Sequence, residues 1–227
     1  IYDLTNEDLK EYYFNYGYSR FMLNDYEKAK NLLYEIIDSD NTFYAPANYY
    51  YAHINYLEKN YETALKSFLK IQSNSNFQPI IPYYISQIYY YQGKYEEAIQ
   101  YSKCILDSTN TIRIDEINRI IGESYFKMGK YTEAIPYFEQ YILKTKQPLS
   151  REDYYEFGYA YYKSGNDYNT AIDYFKKVTA LDDSLSQNMY YLLGDCYLKI
   201  NNKKFALLAF QSAYKLSSYE TIKQDAL

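Results

Sequence analysis

The sequence predicts an all-α chain built from repeated helix pairs, on three observations. A tyrosine recurs after each predicted turn, at Tyr26, Tyr61, Tyr95, Tyr131 and Tyr168, at intervals of 35, 34, 36 and 37 residues. An alanine stands three residues beyond each one, at Ala29, Ala64, Ala98, Ala134 and Ala171. No stretch sustains the polar–apolar alternation of a half-buried strand. A sixth copy carries Lys203 at the tyrosine position, followed by Ala206 and Phe210.

The clearest copy is Ile120 to Ile142, which reads as two short amphipathic helices joined by a turn at Gly129-Lys130. Tyr131, Ala134 and Phe138 are spaced three and four apart and so share one helical face. Gly122 on the first helix and Ala134 on the second are small enough to let the two helices approach closely, with aromatics filling the seam. Gly17, Gly158 and Gly194 mark the same position in other copies, and Ala52 and Ser86 take it in the remaining two. A pair this short cannot bury its apolar face alone and must stack on neighbours.

A period near 34 residues with this pattern resembles the tetratricopeptide-repeat family, from about Lys10 to Leu216. The resemblance implies a right-handed superhelical solenoid of six helix-turn-helix repeats plus a C-terminal helix fragment. The repeats are expected at 10–43, 45–78, 79–112, 115–148, 151–185 and 187–220, in one domain over 1–227. The chain departs from the family where Tyr or another residue replaces its usual Trp, and where Asn166-Asp167 lengthens the fifth turn by one residue. Lys59-Asn60 and Asn201-Asn202 stand where a turn glycine is usual, and Asn tolerates the left-handed backbone such turns need.

In chain order, Thr5-Asn6-Glu7-Asp8 supplies a polar cap and early acids for a first helix running to about Leu23. Asn24-Asp25 turns the chain into a second helix that should run to about Asp38. Asp38 to Asn41, Ser73 to Asn76, Asp107 to Asn110, Pro148 to Ser150 and Asp182 to Ser184 are the breaks between repeats. Pro46, Pro79 and Pro82 fall in opening turns, where a missing N–H does no harm. Ser150 with Asp153 makes an N-cap, and Pro136 lies near enough to a helix start to bend it mildly or not at all. Ile1 is not a methionine, and Ser217 to Glu220 reads as a further helix start, so the expectation is a piece of a longer array.

Composition narrows the function. The net charge of −5 and the absence of a basic run oppose phosphate-backbone binding, so no nucleic-acid partner is expected. No segment is apolar enough to span a bilayer. The single histidine, His53, leaves no two-histidine metal site and no Cys-His pair. Gly93, Gly129 and Gly165 are turn glycines and not a phosphate loop. Acidic pairs such as Glu96-Glu97 start helices or cover solvent faces. No catalysis, cofactor or metal is therefore expected. Cys104 and Cys196 lie in distant repeats on apolar helix faces and are expected as packed, reduced thiols.

Tyrosine is the outlier, at 36 residues, a surplus over what helix packing needs. In the resembled family the first helix of each repeat lines a concave face, with its fifth, ninth and twelfth residues pointing inward. Carried onto this sequence, those positions give Phe14, Tyr49, Tyr83, Arg119, Tyr155 and Tyr191; Tyr18, His53, Gln87, Glu123, Tyr159 and Asp195; and Phe21, Tyr56, Tyr90, Phe126, Tyr162 and Leu198. Rows of such rings suit a protein or peptide partner, because Tyr and Phe give large contact area at low entropy cost. The alternative is that the same rings pack between neighbouring first helices. Only Asn15 and Arg119 match the polar residues with which family members clamp a C-terminal carboxylate, so that specialisation is not expected. The tyrosine-rich pattern also resembles repeat arrays of bacterial envelope proteins that help assemble outer-membrane machinery, which implies the periplasm or cell envelope. A carbohydrate-binding module is the second function class, since aromatic platforms stack on sugars; the absence of Trp and of long insertions argues against it.

Overall fold

A computed structural model describes residues 5–38, 41–106, 111–179, 181 and 183–216. The described residues form twelve α-helices and no strand. They are α1 (Asn6–Met22), α2 (Tyr26–Tyr34), α3 (Tyr44–Leu57), α4 (Tyr61–Ile71), α5 (Ile81–Tyr91), α6 (Tyr95–Leu106), α7 (Ile114–Lys127), α8 (Tyr131–Lys144), α9 (Arg151–Ser164), α10 (Tyr168–Val178), α11 (Ser184–Lys199) and α12 (Lys203–Lys215). The helices fall into two compact units, residues 1–117 and 118–227. The expected helix fragment from Ser217, the whole break at Asp107 to Asn110, Ser39-Asp40 in the first break, and Asp182 lie outside the described residues.

The helix starts follow local chemistry. Thr5 and Ser150 each form a reciprocal capping box, with Asp8 and Asp153. Asp167 and Asp183 cap α10 and α11 through backbone N–H groups of the first turn. Pro136 sits inside an uninterrupted α8 on its exposed side. The second helix is shorter than its sequence suggests. It ends at Tyr34, and the chain leaves the helix while Ile36 and Ile37 still turn inward and stay buried.

Five turns within repeats share one geometry. The N–H of Asp25, Asn60, Lys94, Lys130 and Asn202 donates to the carbonyl five residues earlier, at 2.7 to 2.9 Å. That is the six-to-one bond of a Schellman close, which requires a left-handed residue just before it. Asn24, Lys59, Gly93, Gly129 and Asn201 fill that place, with φ of 58°, 63°, 73°, 73° and 59°. In the second repeat the strained residue is thus Lys59 and not Asn60, because hydrogen-bond register, not residue preference, fixes which one turns left.

Close approach sets the packing. A β-carbon built on Gly122 would lie 2.5 Å from the Phe138 ring, and one on Gly158 would lie 2.7 Å from Phe175. Neither ring has room to retreat: Phe138, for one, is fully buried against Phe157, with centroids 4.6 Å apart. In the first unit Gly17 faces Leu33, while Phe68 stacks on Tyr84 at 5.2 Å. The third repeat meets the constraint differently. Ser86 replaces the glycine and Ser102 the aromatic, and the Ser102 hydroxyl donates to that of Ser86 at 2.8 Å in a buried pair. The six repeat alanines, Ala29, Ala64, Ala98, Ala134, Ala171 and Ala206, are all buried. Cys196 is buried as expected, but Cys104 is exposed. Its place on α6 is the one that exposed Gln140 and Lys177 hold on α8 and α10.

One stacking position carries charge. Tyr50, Tyr84, Ile120 and Leu192 occupy the sixth place of their repeats, counted from residues 45, 79, 115 and 187, whereas the fifth repeat, from 151, has Glu156 there. Burial raises its pKa to about 7, Glu123 adds to the rise, and Lys127, 3.4 Å away, and Arg119 oppose it. Arg151 forms a second ion pair, gripping Asp183 with both nitrogens at 2.5 and 2.7 Å and bonding the Val178 carbonyl at 2.7 Å.

Three outcomes are expected. Gly122→Leu should destabilise by about 1–3 kcal/mol in urea melts, since the added volume meets a ring that cannot move. Lys59→Gly should raise stability by up to about 1 kcal/mol, because the left-handed penalty of roughly 1–2 kcal/mol exceeds the entropy cost of glycine. Glu156 binds its proton more tightly in the folded chain than at the ordinary 4.5. Its contribution is therefore full below about 4.5 and lost as pH rises through about 7. The stability advantage of Glu156→Gln over the parent should grow across that window, to roughly 2–3 kcal/mol.

Candidate functional site

In the first unit, α1, α3 and α5 bring the predicted rings into contact. Phe14 stacks on Phe43 at 5.0 Å, and Tyr18 meets Tyr50 at 5.0 Å. His53 is the hub, with ring centroids 5.6 Å from Phe21, 6.0 Å from Tyr49, 6.5 Å from Tyr56 and 5.2 Å from Tyr84. Burial and the charge of Arg113 hold its pKa below the ordinary value, so it stays neutral at pH 7. Tyr49 stacks on Phe77 at 4.7 Å, and burial raises its hydroxyl pKa far above the usual range. The Tyr56 hydroxyl donates to Gln87, whose amide donates to Tyr83 at 2.8 Å. These polar tips are thus aligned along the face, one helix to the next.

The members differ in access. Phe14, Tyr18, Tyr49, His53, Tyr56 and Tyr90 are half-buried. Tyr83 is only 9% exposed, with the Arg113 guanidinium 4.6 Å above its ring. Beside them Tyr56, Leu57, Lys59, Tyr61 and Tyr91 line an open cleft of about 590 Å³. Tyr61 and Tyr91 stack across it at 5.6 Å.

In the second unit the hub is Tyr159. Its ring lies 5.8 Å from Phe126, 5.7 Å from Tyr131, 5.6 Å from Tyr155 and 6.0 Å from Tyr162. Lys163 sits over both Tyr159 and Tyr162, at 5.3 and 5.5 Å, a geometry in which the ring faces attract the ammonium. The Tyr162 hydroxyl donates to Asp195 at 2.9 Å. Arg119 is engaged within the unit: it donates to Glu123 at 2.6 Å, lies 3.9 Å from Asp153 and reaches over Tyr141. Tyr191 is half-buried and packs on Phe210 at 5.7 Å.

Several contributing rings escape a reading by fifth, ninth and twelfth positions. Tyr50 and Tyr84 stand at the sixth place and join the ring network of the first unit. Tyr131 is one of the repeat tyrosines, and Tyr61 and Tyr91 line the open cleft. The recurrence of large residues at the thirteenth place, Met22, Leu57 and Tyr91, is the signal that could have marked the cleft. Among the described residues no cluster of three or more His, Cys, Asp or Glu side chains could hold a metal, and no helix is long and apolar enough to cross a membrane.

Comparison with known proteins agrees with this architecture. A family profile described as tetratricopeptide repeat matches residues 11–40, the span of one repeat. The profile for subunit 3 of the anaphase-promoting complex, or cyclosome, matches residues 127–213. No curated protein matches the sequence. Among solved structures, YrrB, described as a TPR protein with an unusual peptide-binding site, superposes with a TM-score of 0.68 at 18% identity, covering 86% of this chain and 96% of that one. The C-terminal part of a TPR repeat-containing protein from Cytophaga hutchinsonii gives 0.66 at 19% identity, over 89% of this chain and 78% of that one. PilF of Pseudomonas aeruginosa gives 0.63 at 17% identity, over 96% of each. At these identities the structures attest the fold alone. The repeat profile, the six-fold recurrence of the turn tyrosine or its replacement, and the glycine-on-aromatic packing converge: this chain belongs to the tetratricopeptide-repeat family, whose fold supports protein–protein interaction scaffolds.

Proposed function

We propose that the chain is a non-catalytic scaffold that holds an extended or helical protein segment against its tyrosine faces. The observation that carries this reading is the access of the rings. Tyr18, His53 and Tyr56 in one unit, and Tyr155, Tyr159 and Tyr162 in the other, are held by neighbouring rings yet stay half-buried. A ring already fixed loses little entropy when a partner covers it, and a tyrosine edge can bond to backbone groups of that partner. Phe14, Tyr49, Tyr90, Arg119, Phe126 and Tyr191 belong to the same proposed faces, with Arg119 as an organiser of Glu123 and Asp153. The peptide-binding site for which YrrB is described supports the same class of partner. From the tyrosine-rich repeat pattern we propose an envelope setting, in the assembly of outer-membrane complexes.

Peptides selected from a random display library on the immobilised chain provide the test. Tyr155→Ala and Tyr159→Ala should each weaken the selected peptides by at least about 1–2 kcal/mol, as hot-spot rings do. Tyr83→Ala should behave oppositely: a buried ring removed costs roughly 3–5 kcal/mol of folding stability. Failure to enrich any peptide, with binding instead to a glycan array, would replace this reading with a carbohydrate-binding one.

A further inference from the structure

The two tyrosine faces differ in charge. At the fifth, sixth, ninth and twelfth places of the first three repeats the only ionisable groups besides tyrosine hydroxyls belong to His53, which stays neutral. The same places of the last three repeats carry Glu123, Glu156 and Asp195 against Arg119 alone. Arg119 is committed to Glu123 at 2.6 Å. Glu156 is met by Lys127 at 3.4 Å, from the solvent side: 41% of the Lys127 side chain is exposed, against 18% of Glu156. A pair with so exposed a lysine is weak and readily exchanged. Glu123 and Glu156 also repel each other from α7 and α9, so the rings here stand beside an excess of negative charge.

Those rings already hold a cation. The Lys163 ammonium lies over Tyr159 and Tyr162 at 5.3 and 5.5 Å. Tyr155, half-buried and 5.6 Å from Tyr159, feels the charge of Glu156 directly. A carboxylate beside a partly open ring face suits a guanidinium better than an ammonium, because the planar group stacks on the ring while its edge bonds the carboxylate. Resting on the scaffold reading above, we propose that the second unit selects its partner segment by an arginine, whose guanidinium stacks on Tyr159 and pairs with Glu156. Lys127 is then released to solvent, and Lys163 gives up its place over Tyr159. The same carboxylates reject an acidic side chain by repulsion, so the face discriminates as well as binds.

Three peptide display libraries, random except for a central Arg, Gln or Glu, test this on the full chain. The Arg library should yield the tightest binders, weakened by salt because the contact is ionic. Remaking the best of them with citrulline, which keeps the shape and loses the charge, should cost about tenfold in affinity. Glu156→Gln should cost the same, about tenfold, against the Arg peptide and nothing against its citrulline form, the coupling expected of a direct pair. That variant is expected to be more stable than the parent, so unfolding cannot explain its loss. Lys163→Ala should strengthen the Arg peptide by about threefold, since Tyr159 loses its resident cation. Tightest binders from the Gln or Glu library, or a Glu156→Gln chain that still prefers Arg to citrulline, overturn this inference and leave the scaffold reading standing. Enrichment from none of the three libraries overturns both.

Discussion

In four of the six repeats the helix pair approaches until a β-carbon on the first helix would crowd the side chain opposite, and in the other two only Ala52 or Ser86 stands there; the other features follow from that contact. A helix of eleven to fourteen residues buries too little on its own, so a repeat gains its stability from a large side chain pressed onto a bare helix backbone. Gly122 under Phe138 and Gly158 under Phe175 are the plainest cases. The buried alanine on the second helix is the other half of the constraint, since anything larger would push the ring off the glycine. In the third repeat the glycine is replaced and the opposing side chain shrinks with it, as the Ser86–Ser102 pair. The close spacing is kept there by trading one small residue for another.

That constraint also determines where the tyrosine surplus goes. Once Phe and Ala fill the seam inside a repeat, the rings at other places have mainly their neighbours on adjacent first helices to touch. They form half-buried networks around His53 and Tyr159 rather than a second core. Their hydroxyls follow two fates. Some are bonded internally, as Tyr162 is to Asp195. Others lie on rings that border clefts open to solvent, as at Tyr61 and Tyr91. A surface with fixed apolar faces and polar edges suits contact with a chain that brings its own backbone hydrogen-bonding groups. The charged residue at Glu156 works against packing, and its raised pKa reflects how little solvent reaches it.

The helix count through Lys215, the repeat period, the capping residues Thr5 and Ser150 and the small residues of the seam were all legible in the amino-acid order. Each rests on interactions between residues close in the chain or on positions repeated six times, so the pattern is visible without coordinates. Which residue of Lys59-Asn60 turns left-handed was not legible, because that follows from a hydrogen bond spanning five residues across the helix end. Nor was the sorting of the tyrosines by access. Tyr83 and Tyr155 occupy the same repeat position, yet one is buried under Arg113 and the other stays half-buried, since the residues that cover a ring come from other helices. Cys104 likewise reads as apolar and proves exposed. Burial is a property of what stands opposite a side chain, and only the tertiary structure supplies the opposite side.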